Sequence, residues 1–114
     1  MPQRAIRIRN AEGLWVVRAG GAVLGETRAA LELAEGDLKP VIHFPREDVA
    51  MAFLEPSGQE TLCPRKGRAR YYSIHTKSTV LQNAAWSYEA PSEDAARLRD
   101  YIAFDPLQVT VEKL

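Results

Sequence analysis

The stretch ARYYSIHT, residues 69–76, decides the fold class. Successive side chains of a strand point to opposite faces, and here Tyr71, Ser73 and His75 share one face while Tyr72 and Ile74 share the other. The short TKS sequence, residues 76–78, then turns the chain into TVLQNAAWSY, residues 79–88. There the same alternation places Val80, Gln82, Ala84, Trp86 and Tyr88 on one side. Further out, LWVVRAGGAVLGET (14–27) holds two apolar runs around Gly20-Gly21, the composition of a hairpin turn that needs positive φ. PVIHFP (40–45) is a β-branched and aromatic run capped by proline at both ends. LQVTVEKL (107–114) reads as a last strand with Leu107, Val109 and Val111 inward. Together these segments describe antiparallel sheet with one wet side.

One helix is expected over SEDAARLRDYIAF, residues 92–104. Ser92 is a suitable N-cap, Glu93 and Asp94 sit at the positive end, and Ala95, Leu98 and Ile102 form an apolar stripe. PREDVAMAF (45–53) opens as a helical turn, and EPSGQE (55–60) reads as a loop. The chain is therefore an α+β single domain over residues 1–114, mostly β, with one C-terminal helix before the last strand.

Composition narrows the classes of function. Fifteen Lys and Arg balance fifteen Asp and Glu, so no global field draws the chain to nucleic acid or an anionic membrane surface. No apolar run approaches the length of a membrane span, and MPQRAIRIRN has no signal-peptide core. The single cysteine excludes an internal disulfide and fits a reducing compartment, so a cytoplasmic location is expected. Oligomeric state is not readable.

The candidates for chemistry gather around TLCPRKGRARYYSIH, residues 61–75. One cysteine and two histidines, His43 and His75, supply at most three zinc ligands with no knuckle spacing, so neither metal nor cofactor is expected. Cys63 reads either as a small buried hydrophobe or as a thiol activated by the nearby cations. Within PRKGRAR, Gly67 suits a positive-φ turn into the strand, which would aim Lys66 at a cleft and leave Arg65 and Arg68 in water. Tyr71, Trp86 and Tyr88 offer stacking area for a planar ligand. In FPREDV, Arg46 offers a second cation, while Glu47 and Asp48 diverge on a helical turn and cannot easily act as an acid–base pair.

HFPREDV, LEPS, CPRKGRARYYS, AAWSYEAP and YIAFDP occur in an order that resembles domain of unknown function family 427. The resemblance covers nearly all of the chain beyond the N-terminal strand, and its most specific part is Cys63, Pro64, Lys66, Gly67, Ala69 and Tyr71. It implies a β-tent-like arrangement, two antiparallel sheets leaning together with a cleft between them. Other β-tent proteins often clamp the sheets with zinc on two cysteine pairs, which this sequence lacks; hydrophobic packing by Trp15, Phe44, Phe53 and Phe104 would take that role. A nucleotidyltransferase-type label attached to the family finds neither an acidic pair of metal-binding spacing nor a Gly-Ser phosphate motif here.

The expected function is a small-molecule-binding module. Tyr71, Trp86 and Tyr88 wall its cleft, and Lys66 and Arg46 hold an anionic or carbonyl-bearing ligand. An enzyme with Cys63 as nucleophile and His43 or Asp48 as base is the alternative. A protein-interaction module that pairs through a sheet edge is the third reading. Neither nucleic acid nor membrane is an expected partner.

Overall fold

A computed structural model describes residues 5–114 and contains two antiparallel sheets. In chain order the strands are β1 (Ile6–Asn10), β2 (Trp15–Ala19), β3 (Ala22–Thr27), β4 (Leu31–Glu35), β5 (Val41–Pro45), β6 (Leu54–Cys63), β7 (Gly67–His75), β8 (Val80–Ser87), β9 (Tyr101–Phe104) and β10 (Thr110–Lys113). Seven of them form one sheet in the order β1-β4-β5-β9-β8-β7-β6, and the other three form a small sheet ordered β10-β2-β3. The antiparallel strands expected from the alternation are present, and so are the two sheets that the resemblance implied. Among the described residues no helix is long and apolar enough to cross a membrane.

The Gly20-Gly21 hairpin forms as β2–β3, with Gly20 at φ 58°. The two prolines bound β5 as expected, and PREDVAMAF folds into two short 3-10 turns, Arg46–Asp48 and Met51–Phe53.

Three expectations need correction. The expected helix is only a 3-10 stretch, Glu93–Leu98, broken at Ala95 by non-helical dihedrals, and Ser92 makes no side-chain cap. Its apolar continuation, Tyr101–Phe104, is instead a central strand, entered through Asp100 at φ 62°. YIAF is fully compatible with either state by composition, and burial between β5 and β8 selects the strand. Second, EPSGQE is part of the long edge strand β6, whose pairing with β7 is interrupted by a register shift between Pro56 and Glu60. Third, β10 is shorter than expected: Leu107 lies in a turn held by Asp105 and is 93% exposed.

The large sheet has two buried faces. On one, Phe44, Leu54, Tyr72, Ile74, Ile102 and Phe104 pack against Val17, Ala19 and Leu24 of the small sheet. Phe44 and Phe104 meet edge to face at 5.7 Å, while Trp15 and Phe53 pack on the margin of this core. The opposite face carries a second cluster, Leu31, Leu33, Ala69 and Tyr88, covered by Ala95 and Leu98 from the 3-10 stretch. Tyr71, Trp86 and Tyr101 pack at its margin. The β8 phase departs from simple alternation around Asn83, which sits at φ 52°; the pairing with β7 shifts there and Ala84 joins Ala85 in the first core. Asn is among the few non-glycine residues that tolerate this backbone region.

Candidate functional site

Residues directly opposite one another in antiparallel strands project from the same face. The register therefore aligns Leu31, His43, Ala103, Trp86 and Tyr71 in one row across β4, β5, β9, β8 and β7. This row lies on the face covered by the 3-10 stretch. Tyr71 and Trp86 tilt against each other at 6.0 Å between ring centroids, and both remain half-exposed. Two residues beyond Trp86, Tyr88 turns onto the same face and stacks on His43, with centroids 6.3 Å apart and planes inclined by 29°.

The turn after CPRK supplies the charge. Gly67 takes φ 103°, as the sequence required, and its missing side chain matters twice. A Cβ there would stand 3.0 Å from the Ser92 nitrogen and 3.1 Å from the Pro91 Cα, so the segment leading into the 3-10 stretch can cross directly over the hairpin. Ser92 seals the crossing by donating its backbone N–H to the Lys66 carbonyl and its hydroxyl to the Arg65 carbonyl. Lys66 is thereby turned onto the face, with Nζ 2.9 Å from Glu35 Oε1 and 5.9 Å from the centre of the Tyr88 ring. Glu35 ends β4, three strands away from β8 in the sheet, and was not identified from the sequence.

The neighbouring cations do not join Lys66. Arg65 pairs with Asp94, and Arg68 pairs with Glu60 in solvent. Arg65 is more enclosed than a water-facing side chain, because its Nε is buried without a partner. Arg46 lies on the other face of the sheet. Its guanidinium reaches Tyr72, Ser87 Oγ and Glu89, and its Nε reaches the Asp100 carbonyl. Glu89 also accepts from Arg70 and the Tyr72 hydroxyl, so this is a closed polar network rather than a second cation for Lys66's ligand. Burial alone would raise the Glu89 pKa, but the hydrogen bonds from Arg70 and Tyr72 and the nearby cations outweigh it and lower it.

His43 is the least expected member. It is fully buried, and among the described residues neither ring nitrogen has a hydrogen-bond partner. Burial, reinforced by the Lys66 charge, lowers its pKa to about 3, so the ring is neutral at physiological pH. Lys66 is held charged: burial opposes the ammonium, but the Glu35 hydrogen bond and the neighbouring Tyr88, Glu35 and Cys63 raise its pKa. Tyr88 is kept protonated, mainly by burial, although Lys66 acts in the other direction.

Cys63 is half-exposed at the end of β6, opposite Gly67 and near both Lys66 and Tyr88. It makes no hydrogen-bonded pair with His43, whose nitrogens are both free. Asp48 accepts a 2.7 Å hydrogen bond from Thr27 of the small sheet, on the side away from Lys66. Among the described residues no group of three His, Cys, Asp or Glu converges as a metal site.

The structure thus brings Lys66, Tyr71, Trp86 and Tyr88 together with Cys63 and His43, adds Glu35, and places Arg46 and Asp48 elsewhere. No curated protein is similar enough to the chain to match it. Residues 7–113, nearly the whole of this fold and every residue of the face just described, match the family model Domain of unknown function (DUF427), and the chain belongs to that family.

Proposed function

We propose that the chain is a small-molecule-binding module whose site is the face carrying His43, Lys66, Tyr71, Trp86 and Tyr88. The observation that carries this reading is Lys66: its ammonium is turned onto the sheet face, only partly covered, and held there by Glu35 as a strong donor. The half-exposed Tyr71 and Trp86 rings supply stacking area on the same face.

The charge balance refines the choice of ligand. Lys66 already faces Glu35, so the face presents a neutral pair of strong donor and strong acceptor rather than a net positive pocket. A small planar molecule with a carbonyl group suits this arrangement better than a free anion. Its carbonyl accepts from Lys66, and its ring lies against Trp86.

Benzamide and benzoate serve as neutral and anionic probes of the same shape. Amide and indole chemical shifts should move saturably with benzamide at the Trp86 indole, Gly67 and Tyr88, and more weakly with benzoate. Lys66→Met should weaken the benzamide response while the protein stays folded. Uniform, non-saturating shifts for both probes would remove the reading, and stronger binding of benzoate would reverse the ligand class.

A further inference from the structure

Seven of the cations of this chain are neutralised by a carboxylate. Arg9, Arg18, Arg46, Arg65, Lys66, Arg68 and Arg70 each pair with Glu or Asp. Two of the described cations without such a partner stand together. Arg28 and Arg97 line one groove of about 620 Å³, formed by Asn10–Gly13, Arg28–Leu31, Arg97 and Tyr101. Lys113 lies at its rim, its side chain pressed against Gly13. Among the described residues none of these three cations has a carboxylate within ion-pair distance. Glu12 is the one acidic lining residue, which leaves an excess of positive charge in a chain of zero net charge.

The groove is partly preorganised. Arg97 projects from the 3-10 stretch and donates Nη1 to the Ile8 carbonyl at 3.0 Å and Nη2 to Asn10 Oδ1 at 2.9 Å. Two of its five N–H groups are thereby spent on fixing the guanidinium, and three remain free to donate. Gly13, at φ 97°, shapes the β1–β2 loop that forms one wall. The Tyr101 hydroxyl makes no hydrogen bond among the described residues and is available as a neutral donor. A fixed guanidinium, a second guanidinium on the opposite loop and a phenol match an oxyanion with several acceptor oxygens. The volume falls in the range that holds a small organic molecule.

We propose that this groove is a second binding site, separate from the His43 face, for a small phosphate monoester held by Arg97 and Arg28. The dianion suits the two guanidinium groups better than a monocarboxylate, because each arginine can engage a different pair of oxygens.

Phenyl phosphate, benzoate and inorganic phosphate are titrated into the full chain at about 0.15 M salt, where diffuse surface attraction is largely screened. Phenyl phosphate is expected to shift the amides of residues 11–13 and 28–31 saturably, with inorganic phosphate weaker and benzoate weaker still. Affinity should fall as pH drops below about 6, where the monoester takes up its second proton. Arg28→Gln is exposed and free of contacts that hold the fold, and it should weaken phenyl phosphate about ten-fold. Arg97→Gln should weaken it at least as much; Arg97 also holds the Ile8 carbonyl, so the Arg28 variant isolates the effect on binding. Lys66→Met should leave it unchanged, which separates this site from the other. Shifts spread over all surface cations without saturation, or full affinity in Arg28→Gln, would overturn the proposal.

Discussion

Acidification should act on this protein first through His43. Its pKa falls from 6.5 in the unfolded chain to about 3 in the folded one, because the ring is buried and lies near the Lys66 ammonium. The folded state therefore binds fewer protons than the unfolded state at any pH between these values. Stability attributable to the neutral ring is complete above the unfolded pKa, declines as pH falls below 6.5, and reaches its full loss near pH 3. At about pH 4.5 the loss amounts to two pH units below the unfolded pKa, or roughly 3 kcal/mol at ~1.4 kcal/mol per unit. That is a large part of the ~5–15 kcal/mol typical of a domain, and it should lower Tm by on the order of 10–20 °C. Carboxylates titrate in the same range, so the informative quantity is a difference. His43→Leu keeps a side chain of similar bulk and removes the titration. Its Tm at neutral pH should equal or exceed that of the parent, since an unpartnered buried imidazole is replaced by an apolar group. Between about pH 7 and about pH 4.5 the parent should lose roughly 3 kcal/mol more than the variant, followed by thermal or urea denaturation at each pH. Parallel stability profiles for the two proteins would refute the argument, because His43 would then titrate alike in both states.

Gly67→Ala should destabilise by about 2–3 kcal/mol, combining strain at positive φ with a Cβ driven against Ser92 and Pro91; a urea midpoint within error of the parent would show that the hairpin crossing is looser than described. Glu89 has a lowered pKa, so its stabilising contribution is present above its ordinary value of 4.5 and is lost as pH falls through the folded value. Glu89→Gln should therefore flatten the stability profile below about pH 4.5 without changing the His43 step above it, as read by the same denaturation series. Lys66→Met should cost only about 1 kcal/mol, the scale of a partly exposed ion pair, and a much larger loss of Tm would make the Lys66–Glu35 contact primarily structural.

Local pattern carried a good deal of this structure. The alternation of ARYYSIHT, the Gly20-Gly21 hairpin, the proline-bounded strand around His43 and the positive φ of Gly67 all follow from side-chain period and backbone sterics within a few residues. Tyr71, Trp86 and Tyr88 were legible for the same reason, as aromatics at even spacing on adjacent strands. The segment YIAF was misread because its apolar residues fit a helical stripe, and only its position between β5 and β8 makes it a strand. Glu35 carried no local signal at all, since its partner Lys66 is 31 residues away.

Local sequence settles which segments extend, where they turn and which side chains share a strand face. Which strands stand side by side, and with that which charges meet, depends on the assembled fold. The order β4-β5-β9-β8-β7 brings His43 beside Tyr88 and lets Lys66 reach Glu35, while the two faces of the same sheet separate Lys66 from Arg46. Strand period is a property of neighbouring residues along the chain, whereas burial, ion pairing and the pKa of His43 depend on distances in space that no local period encodes.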